Sequence, residues 1–193
     1  MMRDVRDVPA GIGEKLLGAA DELGFRFTRV SMDEIARVSG VPRATIYYYF
    51  AGRDDLLVHV TSLALDELAQ EAQQVLTGPG TALERMRALI RCNLHHLHNH
   101  RAASELLFAY LGTAGLHDVT TRIKVGILEP IESLLTEGVA DGTIRTPDDV
   151  ALTATALFGA ILVVGLQDLY LTGGLDADGT TDRLVPIFLA GLG

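Results

Sequence analysis

Residues 31–50, SMDEIARVSGVPRATIYYYF, confine the fold more tightly than any other stretch of this chain. Ser31 and Glu34 stand at capping-box spacing. In that arrangement the hydroxyl accepts from the backbone N–H three residues on while the carboxylate reaches back, so a short helix is expected over about 32–38. Ser39-Gly40-Val41 breaks it, because Gly40 can take the left-handed conformation of a tight turn. Pro42 suits the first turn of a second short helix, where its missing N–H has no partner to lose. Successive residues on a helix point about 100° apart, so Tyr47, Tyr48, Tyr49 and Phe50 cannot all face one core. Some of these rings must look outward.

Short helix, glycine turn, short helix is the layout of a helix-turn-helix, whose second helix lies in the major groove of DNA. Ala36 is small where the two helices approach, and Ile35, Val41 and Ile46 can form their shared core. Arg43, Ala44 and Thr45 then occupy the exposed start of the second helix. An arginine grips guanine through O6 and N7, while Ala44 and the Thr45 methyl suit a thymine methyl. Tyr47 and Tyr49 offer hydroxyls to phosphate oxygens, and the Tyr48 ring can lie against bases or sugars. The competing reading is a buried aromatic knot joining the first helices, which fits Phe50 and can also hold part of Tyr47.

A formal charge of −9 over 193 residues looks hostile to nucleic acid until it is placed along the chain. Residues 1–60 carry eight Lys/Arg against nine Asp/Glu, so nearly all the excess acid lies beyond residue 60. Between 25 and 53, five arginines face only Asp33 and Glu34, which permits a local basic face. Cys92 is the only cysteine, so no intrachain disulfide forms. No run approaches the roughly 20 uninterrupted apolar residues needed to cross a bilayer, and the start lacks a secretory apolar stretch, so a cytoplasmic location with no membrane partner is expected.

The rest of the text is helical in period, with no convincing strand alternation, which makes the expected fold class all-α. A first helix over about 11–23 buries Ile12, Leu16, Ala19, Ala20 and Leu23, and Gly24 closes it. A longer helix is expected from Arg53 to about 76, ending at Gly78-Pro79-Gly80. Thr81 and Glu84 form a second capping box ahead of a helix to about 98. Further helices are expected over 102–111 and 118–139, the latter kinked or interrupted by Pro130. Thr146-Pro147-Asp148-Asp149 should open another to about 171, with Thr146 as cap and Pro147 in the first turn, and a last helix is expected over about 181–192.

The pattern TxxxIAxxxGVxxxTxYxxFxxK near the N-terminus, here SMDEIARVSGVPRATIYYYFAGRDDLL, resembles the TetR family of transcriptional regulators. The likeness is good from about Leu16 to Leu57. Beyond it, LEPIESLLTEGVADGTIRTPDDVALTATALFGAI also looks like the family's penultimate-helix region. Ser31 stands where threonine is usual, Pro42 where serine is commoner, Tyr49 where histidine is frequent and Arg53 where lysine is usual. The resemblance implies that Ser31, Tyr47, Tyr49 and Arg53 touch phosphates and that Arg43, Ala44, Thr45 and Tyr48 approach bases. It also implies a DNA-binding module over 8–54 and an effector-binding, dimer-forming helical bundle over 55–193. The partners would be a double-stranded palindromic operator and a small, largely apolar effector, with repression released when the effector binds.

The residues of the second part permit those roles. Residues 151–171, ALTATALFGAILVVGLQDLYL, are apolar nearly all round, as expected of a helix covered on more than one side. Gly159 and Gly165 allow close helix approach, and Val185, Ile187, Phe188 and Leu189 give the last helix a second apolar face, so a homodimer through the last two helices is expected. Met86, Ile90, His95, Asn99, Phe108, Tyr110, Leu111 and Phe158 are the candidates for a pocket, mixing apolar wall with a few polar handles. The alternative is a helical small-molecule or metal-binding protein built on Cys92, His95 and His96, completed by Glu105 or His117. Against it, the histidines crowd a helix end, where they suit the dipole, and they radiate around the axis. No phosphate loop, HExxH, GxSxG or acid-base carboxylate pair is present, so no catalytic residue, metal or cofactor is expected.

Overall fold

A computed structural model describes residues 7–110 and 117–189, apart from the side chains of Ala109, Tyr110, His117, Asp118 and Thr172, and every regular element among them is helical. In chain order these are α1 (Ala10–Leu23, followed by a single 3-10 turn, Gly24–Arg26), α2 (Met32–Ser39), α3 (Arg43–Tyr49), α4 (Arg53–Leu76), α5 (Ala82–Asn99), α6 (Arg101–Tyr110), α7 (His117–Ile123), a π turn (Lys124–Leu128), α8 (Glu129–Ala140), α9 (Val150–Thr172) and α10 (Ala177–Phe188). The chain divides into two compact units, Met1–Ala64 with His100–Gly115, and Leu65–Asn99 with Leu116–Gly193. Helix α4 therefore gives its first half to one unit and its second half to the other. Helix α6, remote in sequence, belongs with α1–α3.

In the first unit, Leu16 and Ala20 of α1, Ile35 of α2, Val41 of the turn, Ile46 of α3 and Leu56 and Val60 of α4 share one core with Phe27, Phe50 and Ala102. The three residues expected to bind α2 to α3, Ile35, Val41 and Ile46, are all buried there. Gly40 adopts φ 65°, the left-handed turn conformation, and the Val41 N–H donates to Ser39 Oγ at 3.2 Å. Pro42 sits one position earlier than expected: it is the N-cap of α3 rather than a first-turn residue, and it caps with no side-chain hydrogen bond. Only half of the expected capping box forms at α2. The Glu34 N–H donates to Ser31 Oγ at 3.2 Å, but the Glu34 carboxylate is taken by Arg37 one turn on, at 2.7 and 2.9 Å. At α5 the box closes in both directions, with Thr81 N–H donating to Glu84 at 2.8 Å and Glu84 N–H to Thr81 Oγ1 at 3.2 Å.

The second unit packs α5 against α8, α9 and α10. Met86, Ile90, Leu94, Ile131, Leu134, Leu157 and Ile161 are among its buried side chains. The interruption expected at Pro130 lies just ahead of it. The π turn Lys124–Leu128 intervenes and runs directly into α8, whose second residue is Pro130. Gly126, in the π turn, lies where a Cβ would stand 2.9 Å from the Ala69 Cβ of α4. Helix α9 is capped by Asp149, whose side chain accepts from Leu152 N–H at 2.9 Å; Thr146 and Pro147 lie outside the helix. Helix α10 starts four residues before the expected 181, because the Asp176 side chain accepts from Gly179 N–H and opens it at Ala177.

The buried and exposed positions of α9 fall on opposite sides. Ala154, Leu157, Phe158, Ile161, Leu162, Leu166 and Leu169 are buried, whereas Leu152, Ala156, Val163, Gln167, Tyr170 and Leu171 are exposed. Over 150–171 this helix is long and apolar enough to cross a bilayer by length and composition, contrary to the expectation that no segment comes near that length. Its charged residue, Asp168, accepts from Thr180 Oγ1 of α10 at 3.1 Å and pairs with Arg183 at 3.3 Å. Those bonds and the buried side tie α9 into the helical unit.

Candidate nucleic-acid interface

Helix α3 puts its short polar start and two of its rings at the surface. Arg43 and Ala44 are exposed and Thr45 is half-buried. Tyr47 and Tyr48 are 46% and 58% exposed, Tyr49 is half-buried, and Phe50 is sealed in the core at 3%. The aromatic run is therefore divided as helical geometry requires, with Ile46 and Phe50 inward and Tyr47 and Tyr48 outward. Tyr49 meets Tyr48 edge to face, ring centroids 5.0 Å apart, which steadies the outer ring against the helix.

Arg43 is held on two sides. Its Nη1 lies 2.6 Å from Asp33 Oδ1 on the first turn of α2, and its guanidinium carbon lies 5.3 Å from the centre of the Tyr47 ring. Tyr47 first, then Asp33, hold the Arg43 guanidinium above its ordinary pKa. Ser31 accepts the Glu34 N–H through its hydroxyl oxygen and keeps its O–H proton available to an external acceptor. Arg37 lies on the exposed face of α2, and its bond to Glu34 keeps that carboxyl below the usual carboxylate range.

Arg53 is used differently from an open phosphate contact. Its two terminal nitrogens donate to backbone carbonyls, one to Val30 and the other to Phe27 at 2.8 Å. It thereby staples the 3-10 turn and the residue just before the Ser31 cap to the start of α4. From the other side Glu105 of α6 accepts from Thr28 Oγ1 at 3.1 Å and from Arg29 at 2.8 Å. The segment entering α2 is thus clamped twice. Neither clamp, nor the Asp33–Arg43 pair, leaves a spacing signature in the sequence: the partners lie 23, 26, 77, 76 and 10 positions apart and meet only once the helices have packed.

The candidate pocket residues are not one cluster. Met86, Ile90 and Phe158 are buried in the second unit, His95 and Asn99 are exposed, and Phe108, 51% exposed, belongs to the first unit. Leu111 and the Tyr110 side chain lie outside the described residues. The Cys92 alternative loses its chemistry here. Burial, and then the Glu71 carboxylate that its thiol contacts at 3.4 Å, push the Cys92 thiol up to about 12, so the metal-binding thiolate is scarce at neutral pH. His95 is exposed while His96 is buried, and among the described residues no group of three His, Cys, Asp or Glu is placed to hold a metal ion.

Comparison with known proteins places this geometry. Residues 26–60, from the 3-10 turn through α3 into α4, match the family model of bacterial regulatory proteins, tetR family. The chain is 27% identical over 143 residues to the fatty acid metabolism regulator protein of Bacillus subtilis, covering 72% of each. It superimposes on a TetR/AcrR-family transcriptional regulator from Thermobifida fusca with a TM-score of 0.71 and 26% identity, over 94% of this chain and 98% of that one. The fold is also that of the Bacillus subtilis regulator FadR solved with stearoyl-CoA, at a TM-score of 0.75 and 20% identity, over 93% and 99% of the two chains. The outward-facing α3 and the matched segment coincide: residues 26–60 carry the helix-turn-helix of the bacterial regulatory proteins of the tetR family, and the chain as a whole is similar to transcriptional regulators of that kind.

Proposed function

We propose that this regulator is a cytoplasmic homodimeric repressor that sits on a palindromic operator and leaves it when a largely apolar effector binds. The observation that carries the DNA half is the exposed start of α3: Arg43, Ala44 and Thr45 reach bases, Tyr48 lies against bases or sugars, and Ser31, Tyr47 and Tyr49 bond phosphates. Arg53 contributes by fixing the segment that leads into α2. Residues 8–54 supply the reading head, and 55–193 the dimer face and the effector site.

The dimer face is the exposed stripe of α9 with Ile187 of α10. Leu152, Val163, Tyr170, Leu171 and Ile187 are each about half to three-quarters exposed, an apolar surface that a second copy would cover. Two-fold pairing would set two copies of α3 about 34–36 Å apart, one turn of B-form DNA. For the effector, the kinship to a fatty acid metabolism regulator and the fold shared with a stearoyl-CoA complex make a long-chain acyl thioester the first class to test. Met86, Ile90 and Phe158 are the buried apolar side chains around which its chain would fit. Helix α4, continuous through both units, is the connecting lever. An effector that prefers the arrangement unable to span the operator lowers DNA affinity by the factor by which DNA lowers effector affinity.

Fragments of the source genome retained by the full-length protein supply the operator. Affinity for it should fall steeply with salt, and an Arg43→Ala, Tyr47→Phe double variant should lose most of that affinity and flatten the salt slope by about one unit for the lost cation. Stearoyl-CoA added to the complex should release the DNA. Salt-insensitive binding, or a double variant that binds like the parent, sinks the DNA interface; release by no acyl thioester sinks the effector class alone.

A further inference from the structure

Asp33 is an acid in direct contact with a base-reading side chain, Arg43. It stands on the first turn of α2, exposed, with its carboxylate on the Arg43 guanidinium at 2.6 Å, while the Tyr47 ring backs the same guanidinium at 5.3 Å. An acid beside the reading end of a DNA-binding helix is costly against a polyanion unless it does something there. Two consequences follow from its contact. An arginine is a long side chain with many rotamers, and holding it between a carboxylate and a ring before DNA arrives removes part of the ordering cost of binding. The guanidinium has five N–H donors in a planar fork, so one edge can stay on Asp33 while another meets the two acceptors of a guanine.

We propose that Asp33 is a positioning residue that aims Arg43 at a guanine and penalises duplexes lacking one there. On the right sequence Arg43 bridges base and carboxylate, and the charge of Asp33 is neutralised. On a wrong sequence Arg43 swings toward a phosphate, leaving the carboxylate beside the DNA backbone with no cation. The acid thus acts as a repulsive element against unwanted partners. It lowers affinity for DNA in general and raises discrimination. This inference rests on the assignment of α3 as the reading helix.

The experiment is selection by the full-length protein from a pool of duplexes with randomised centres, with Asp33→Asn, Asp33→Glu and Arg43→Ala carried in parallel. Each is then titrated with the selected duplex and with one fixed duplex lacking the selected sequence. The parent should enrich guanine at one position of each half-site, and Arg43→Ala should lose that preference. Asp33→Asn should bind the unselected duplex more tightly and lose roughly fivefold or more in the ratio of the two affinities, the low end of what one arginine–guanine pair supplies. Asp33→Glu should restore most of the ratio, and thermal midpoints should stay within a few degrees throughout, since the first-turn charge of Asp33 is worth at most about 1 kcal/mol. An Asp33→Asn protein that gains affinity for both duplexes by one common factor overturns the proposal, because the acid is then only a charge. So does a lost preference at a position that Arg43→Ala leaves intact, because Asp33 then reads a base itself. A parent that enriches no sequence and binds without salt dependence removes the reading helix, and this inference with it.

Discussion

Helices α3 and α9 both leave large apolar side chains in solvent, and the difference between them lies in what stands beside those side chains. On α3, Tyr47 and Tyr48 are flanked by Arg43, Thr45 and their own hydroxyls, so every ring comes with a donor or a cation. On α9, Leu152, Val163, Tyr170 and Leu171, the last 74% exposed, are separated mostly by Ala156, Gly159 and Ala160, with Thr155, Gln167 and the Tyr170 hydroxyl as the polar groups of that side and no charge among them. The first surface suits duplex DNA, because N–H and O–H donors for base edges and phosphate oxygens meet there with rings that can lie against sugars. The second is the kind of surface that the proposed dimer would cover, because small residues let backbones approach and no charge has to be desolvated. Exposure of hydrophobic residues is thus not by itself a signature of either partner; the neighbours decide.

The largest effect that sharpens this contrast is on the two faces of α3 itself. Ile46→Ala empties a side chain that is fully buried between α2 and α3, and should cost about 2–5 kcal/mol in denaturant unfolding. Tyr48→Ala, two residues on and 58% exposed, should change stability by about 0.5 kcal/mol or less while weakening DNA binding by about 1 kcal/mol. Comparable unfolding losses for the two would mean that the Tyr48 ring is core, and the likeness between α3 and a reading helix would fail.

The next pair breaks or supports the assignment of α9. The sequence suggested that Gly159 and Gly165 serve one purpose, close helix approach, and the packing separates them. A Cβ on Gly165 would stand 2.7 Å from Leu97 and 3.2 Å from Leu94, both on α5 of the same chain, whereas one on Gly159 meets nothing within 4 Å. Gly165→Leu should therefore overpack the helix contact and cost about 1–3 kcal/mol. Gly159→Arg should leave the fold as stable or slightly more so, since a mid-helix glycine is unfavourable by up to about 1 kcal/mol. In sedimentation it should shift the protein toward monomer. A Gly159→Arg protein that keeps the parent's oligomeric state removes α9 as the dimer face.

What could be seen in advance follows the same division. Local periodicity and caps are short-range, so the helices, the inward Ile35, Val41 and Ile46, and the split of the tyrosine run were legible in the text. The start of α10 was not, because Asp176-Ala177-Asp178-Gly179 reads as a turn until the Asp176 side chain is seen to bond the Gly179 N–H. Nor was the half-open box at α2, where Arg37 outcompetes the Ser31 backbone for Glu34. The site shows the same limit. The identity of the outward residues could be read, but their supports could not: Asp33 on Arg43, Arg53 on Phe27 and Val30, Glu105 on Thr28 and Arg29. Those are tertiary contacts between groups whose positions share no period.

The smallest effect distinguishes a cap that only holds a helix from one that also faces a ligand. Ser31 and Thr81 both accept the N–H of a glutamate three residues on at 3.2 Å, so Ser31→Ala and Thr81→Ala should each cost about 1 kcal/mol of stability. Thr81 Oγ1 also contacts the Glu84 carboxylate at 3.1 Å, which leaves its hydroxyl proton occupied within the box. The Ser31 hydroxyl has its proton to spare because Glu34 is drawn away by Arg37. If that proton goes to a phosphate, Ser31→Ala should weaken binding to selected and unselected duplexes alike, by about 1 kcal/mol beyond its cost in stability. The salt slope should stay where it was, since a hydroxyl displaces no counterion. Thr81→Ala should match it in unfolding and leave DNA affinity untouched. Equal losses of affinity for the two variants would mean that both act through helix stability alone, and Ser31 would leave the interface.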